Sequence, residues 1–137
     1  MLNILKKDIK IENIKKLEFR VAESRSYNGN IEYKLKCTDK CTVYIKPYNV
    51  SEDDAQEVEL TKEQVKEIED LLNKYHVGRW DGFNGHNRNV LDGRSFSLSI
   101  TLKSGENISA HGYMKYPRNY NAVVNGLDEI IGSLYVE

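Results

Sequence analysis

The sequence predicts an α+β fold: an antiparallel sheet of about five strands with two helices packed on one face, in the order β-β-β-α-β-β-α. Three observations carry this. Several short segments alternate apolar and polar residues with period 2, two longer ones repeat apolar residues at i, i+3, i+4 and i+7, and turn residues separate them. Runs of hairpins interrupted by helices belong to a sheet with helices stacked on one side. A chain of 137 residues suits one domain, 1–137, large enough to bury roughly two thirds of its unfolded surface without disulfide or metal staples.

Leu17, Phe19 and Val21 alternate with Glu18, Arg20 and Ala22, marking the first strand. A turn at Asn28-Gly29 leads to EYKLKC, with Tyr33, Leu35 and Cys37 on one face. CTVYIK follows as the third strand. A three-residue loop at 38–40 would set Cys37 opposite Cys41. Two cysteines with no second pair cannot complete a four-ligand zinc site, so they read as hairpin residues: thiols in a reducing compartment, a cross-strand disulfide in an oxidising one. Residues 47–56 read as an acidic surface loop, with Val58 and Leu60 as a short edge strand.

The first helix is predicted over 62–76. Thr61 and Gln64 match a capping box, Leu60 and Val65 the accompanying hydrophobic staple, and Val65, Ile68, Leu71, Leu72 and Tyr75 form one stripe, with Gly78 as the exit. SFSLSITLK then alternates cleanly and pairs with NISAHGYM. An odd loop, 104–106, sets Leu102, Ile100, Leu98 and Phe96 opposite Ile108, Ala110, Gly112 and Met114, apolar against apolar. Pro117 opens the second helix at its first position, and Tyr120, Val123, Val124, Leu127, Ile130, Ile131 and Leu134 give it a wide apolar face.

Charge is unevenly spread behind a net value of -1. Segment 51–73 holds nine acids against Lys62 and Lys66, net -7, while 1–46 (eleven bases, six acids) and 74–118 (seven bases, three acids) are net positive. Opposed patches of this kind can steer charged partners, but a solvated acidic helix is the favoured reading of these acids, since charge runs usually mean only exposure. A pI near 6.3 argues against nucleic-acid binding. No stretch approaches the ~20 apolar residues of a membrane span, and the start MLNILKKDIK lacks the h-region of a signal peptide, which makes the cytoplasm the expected compartment.

The stretch RWDGFNGHNRNVLDGR, 79–94, sits in a connection of about 17 residues, against the usual ~4–6. Trp80, Phe83, Val90 and Leu91 would pin it down. Arg79, His86, Arg88 and Arg94 would form a polar rim around the aromatic anchor Trp80, the residue types that dominate interface hot spots. Asp81 lacks the acidic partners of a calcium loop, the glycines fit no phosphate-binding pattern, and His76, His86 and His111 share no metal-ligand spacing, so no cofactor or metal is expected. Parity places Ser97, Ser99, Thr101, Ser109, His111 and Tyr113 on the sheet face turned away from the helices, with Ser99 and His111 as cross-strand neighbours. Tyr116 and Tyr120 lie nearby.

Residues 78–120 resemble a small domain that recurs in uncharacterised proteins of low-GC Gram-positive bacteria. The resemblance rests on Trp80-Asp81-Gly82-Phe83, Val90-Leu91-Asp92-Gly93, the Phe96-Leu98-Ile100 strand, Gly105, Ile108-Ser109-Ala110, Gly112-Tyr113, and Pro117 with Tyr120. It covers about a third of the chain and implies no activity. The functional expectation is a non-enzymatic binding module of a bacterial cytoplasmic protein, of inhibitor or immunity type. Its partner would be a protein or small molecule held by Arg79, Trp80, His86, Arg88, Arg94, Ser99, His111, Tyr113 and Tyr116. The alternative is a small hydrolase-like enzyme with His111 or His86 as base. A third reading has the 51–73 acids mimicking phosphates to inhibit a nucleic-acid enzyme.

Overall fold

The computed structural model describes residues 7–23, 28–89 and 93–137. Its strands are β1 (Ile14–Glu23), β2 (Ile31–Cys37), β3 (Cys41–Lys46), β4 (Gln56–Leu60), β5 (Asn84–His86), β6 (Arg94–Leu102) and β7 (Asn107–Tyr113), and its helices are α1 (Lys62–Lys74) and α2 (Tyr120–Ile130). They form one sheet in the order β4-β3-β2-β1-β6-β7-β5. Every pairing is antiparallel except that of β5 with β7, which is parallel. The α+β class and the one-sided helices are as expected, but the described strands number seven, not five. β4 is a full five-residue strand running from Ile45↔Gln56 to Cys41↔Leu60, and β5 emerges from the connection expected to be irregular.

The alternation of β1 decides the core. Leu17, Phe19 and Val21 are buried, and Phe19 stands between Tyr33 on β2 and Leu98 on β6. Ile68 and Leu72 of α1 and Val123 and Leu127 of α2 cover this face. The helices meet where Gly126 has no side chain, since a Cβ there would stand 2.4 Å from Leu71 Cδ1. Burying a Leu or Ile stabilises by roughly 1.5–3 kcal/mol, so these central residues dominate the folding free energy.

Several local expectations hold. Thr61 Oγ1 accepts from the Gln64 amide (3.1 Å), and Gln64 Oε1 accepts from the Thr61 amide (2.8 Å), closing the capping box. Cys37 pairs with Cys41, and their sulfurs are bonded.

Three expectations need correction. The helix α1 ends at Lys74, and its exit is His76, in the left-handed region at φ 56°, not Gly78. Gly78 serves packing instead: a Cβ there would lie 2.0 Å from the Ile9 carbonyl oxygen. The strap 7–13 crosses at this point, with Ile9 and Ile11 buried and the Asn73 side chain bonded to both the amide and the carbonyl of Ile11 (2.8 Å each). Pro117 does not open α2, because Asn119 is left-handed (φ 68°) and the helix begins only at Tyr120. The β6–β7 loop is odd, as parity required, but it is 103–105: Gly105 takes φ 95° and its amide bonds to the Leu102 carbonyl. That turn moves the register by two, so Leu98 faces Ala110 and Ile100 faces Ile108.

The sequence also concealed a buried lysine. Lys46 is 1% exposed and its ammonium donates to the carbonyls of Asn28, Asn30 and Pro47. Burial lowers its pKa.

Candidate functional site

The candidate residues divide between the two faces of the sheet. In the parallel β5–β7 pair Asn84 lies beside His111 and His86 beside Tyr113, so His86 joins the outer face. The three-residue β5 is a strand because β7 offers it a ladder and because Gly85 and Gly112 leave room beneath. A Cβ on Gly85 would press on the Phe83 ring (2.8 Å), and one on Gly112 would lie 2.2 Å from the Lys115 carbonyl oxygen.

On the outer face the His86 and Tyr113 rings stack at 5.2 Å, and Tyr113 Oη accepts from the Gly93 amide (2.7 Å). Arg20, Ser95, Ser97 and His111 complete a shallow hollow of about 310 Å³. Ser99 does not neighbour His111: the register places His111 opposite Ser97, and Ser99 opposite Ser109. The two-residue shift made by the Gly105 turn is the cause. Arg88 stands next to this surface with His86 and Lys115. Arg20, His86 and His111 form no ion pair among the described residues. A general base at His86 or His111 would need an orienting partner, and no described carboxylate lies within 4.0 Å of either ring. Arg20, with Arg88 and Lys115 nearby, can instead attract an anionic group to this uncovered face, where the two imidazoles offer hydrogen bonds.

The remaining candidates lie on the helix side. Trp80 is 4% exposed, its Nε1 donates to the Arg118 carbonyl (3.1 Å), and its ring packs on Tyr120 and Phe96. It is therefore a core anchor and not a projecting contact. Arg79 meets Asp8 of the strap (Nε to Oδ2, 3.7 Å), which also takes His76 Nδ1 at 2.7 Å. Arg94 sits at the start of β6 on the same side as Phe96 and pairs with Glu23 at 3.6 Å. Tyr116, half-exposed, stacks on Tyr120 at 4.5 Å. Val90 and Leu91, the other expected anchors of the loop, lie outside the described residues.

Arg20 and Lys115 were missed. Arg20 was visible as the polar partner of Phe19 and Val21, but only the order of strands places β1 next to β6 and within reach of His111.

No protein-family model matches the chain, and no curated protein is significantly similar to it. Among the described residues there is no group of three metal-ligating side chains, and no helix is long and apolar enough to cross a membrane.

Proposed function

We propose that the protein is a non-enzymatic binding module, of inhibitor or immunity type, that holds an acidic partner protein on the outer face of its sheet at the β6–β7–β5 end. One observation carries this reading. Arg20, His86 and His111 gather around an open hollow with no carboxylate paired to them among the described residues. Neighbouring Arg88 and Lys115 extend the positive surface. The hollow is shallow and open and would leave a small molecule largely in solvent, so a Glu or Asp side chain of a covering partner would be its occupant. Charges at the rim raise the association rate, and those fully covered on binding set the dissociation rate.

We further propose a bacterial cytoplasmic setting. There the glutathione pool would hold Cys37 and Cys41 as thiols, whereas the bonded pair of this structure belongs to an oxidising compartment. No observation favours the hydrolase reading.

The test is comparative capture from the native host with wild type, an Arg20→Glu/Arg88→Glu variant, and Lys62→Glu on the exposed start of α1 as control. The reading expects a partner retained by wild type and by Lys62→Glu, released by added salt, and lost by the double variant. Equal retention by all three proteins would refute it.

A further inference from the structure

A second concavity lies on the helix side, separated from the outer face by the sheet itself. It has a volume of about 480 Å³ and is walled by Tyr75, Trp80, Phe83 and Tyr116, with Arg79 and Arg118 at its margin. Its parts come from the end of α1, the turn after it, and the segment leading into α2. Two contacts fix them together: Asn119 Nδ2 donates to the Tyr75 carbonyl (3.4 Å), and Trp80 Nε1 donates to the Arg118 carbonyl.

Its chemistry is specific. Three partly exposed aromatic residues, Tyr75, Phe83 and Tyr116, offer ring surface to a flat apolar group, with the buried Trp80 beneath them. Of the two guanidiniums only Arg118 has no local counter-charge among the described residues. Arg118 is exposed and makes no ion pair or side-chain hydrogen bond among the described residues. Arg79 shares the single carboxylate of Asp8 with His76 and reaches it only through Nε. A guanidinium beside aromatic rings is the arrangement that takes a planar anion, holding a carboxylate by paired N–H donors. The volume falls in the range of small-molecule sites.

From this we infer that the concavity is a binding site for a small aromatic carboxylate, its ring held among Tyr75, Phe83 and Tyr116 above the buried Trp80 and its carboxylate held by Arg118 and Arg79. The site is independent of the outer-face hollow and shares no residue with it.

The chain has one tryptophan, so its emission reports on this site directly. The probe is 3-phenylpropionate, compared with its amide, which keeps the ring and loses the charge, and with propionate, which keeps the charge and loses the ring. The expected result is a saturable change in Trp80 emission with 3-phenylpropionate, weaker by about tenfold or more with either analogue. Arg118→Gln, which removes no ion pair or side-chain hydrogen bond among the described residues, should weaken binding by a similar factor with an unchanged circular-dichroism spectrum. Arg88→Gln on the other face should leave it unchanged. No saturable change in emission, an amide that binds as well as the acid, or an Arg118→Gln variant that binds as well as wild type would each overturn the proposal. Failure of the partner-capture experiment would not bear on it.

Discussion

Gly78→Ala pits two opposite expectations against each other. Replacing a glycine whose backbone an alanine can adopt stabilises by ~0.4–1 kcal/mol through the unfolded chain. Sterics oppose this gain. The new Cβ would stand 2.0 Å from the Ile9 carbonyl oxygen and 2.5 Å from the Ile9 nitrogen, both backbone atoms, while ordinary contact begins at 3.4 Å. The strap must therefore retreat by about 1.4 Å, the difference between 3.4 and 2.0 Å. If the core yields instead, overpacking costs ~1–3 kcal/mol. If the strap lifts, Ile9 loses a burial of ~1.5–3 kcal/mol. The reciprocal Asn73–Ile11 bonds then stretch past bonding distance, at ~1 kcal/mol each. Destabilisation of about 2–5 kcal/mol is expected, read from the urea midpoint at constant slope. A double-mutant cycle with Ile9→Ala identifies the response: if the strap has lifted, truncating Ile9 costs far less in the Gly78→Ala background than in wild type. A neutral or stabilised Gly78→Ala protein would refute the packing argument. Asp8 travels with the strap, so the same change should also release Arg79 and His76 beside the aromatic concavity.

Two further outcomes follow from the structure. The Cys37–Cys41 bond closes a loop of five residues, for which chain entropy gives about 2 kcal/mol. Cys41→Ser should lower the guanidinium midpoint of the oxidised protein accordingly while the β2–β3 hairpin persists, and a midpoint equal to that of the oxidised wild type would refute the loop-closure argument. At alkaline pH, burial and the hydrogen bond to Asp128 (2.6 Å) keep Tyr33 protonated, and burial does the same for Tyr120. The folded state then holds protons that the unfolded state sheds above the ordinary tyrosine value of 10.0, so stability is fully present below that pH and falls above it. Lys46, its pKa lowered by burial, acts in the opposite sense up to 10.5, since there the unfolded state binds more protons. Tyr33→Phe should cost ~1–2 kcal/mol at neutral pH and flatten the alkaline fall. An alkaline slope identical to wild type would exclude Tyr33 as its source.

What could be read from the sequence was local. The alternation of β6 and the Thr61–Gln64 box are short-range patterns whose energetics are settled within a few residues, and both appear as expected. Parity also assigned Ser99, His111 and Tyr113 to the outer face correctly. Absolute register was not legible, because a single left-handed residue, Gly105, sets it and parity is blind to shifts of two. β5 was invisible for a different reason: Asn84-Gly85-His86 has no apolar alternation, and its strand geometry is supplied by β7. Missing β5 meant missing that His86 joins Tyr113 and His111. Arg79 and Arg94 were grouped with them only because they are near in sequence, although both lie on the helix side while His86 lies on the outer face. Lys46 resembled an ordinary solvated strand end, and only the carbonyls of Asn28, Asn30 and Pro47 converging on it reveal otherwise.

The division between faces has a mechanical consequence. The segment 112–116 wraps around the β7 end of the sheet, giving Tyr113 to the outer hollow and Tyr116 to the aromatic concavity. A partner on one face could influence the other by moving this segment or the stretch 83–86, in which Phe83 lines the concavity and Asn84 to His86 the hollow. β7 is laddered on both sides, to β6 and to β5, and Gly112 is already packed so closely beneath Lys115 that no methyl group fits. A backbone with bonds on both edges and no free volume behind it has one arrangement, and coupling requires two. The two surfaces should therefore behave as separate sites, with the free energies of substitutions at Arg20 and at Arg118 adding rather than interacting.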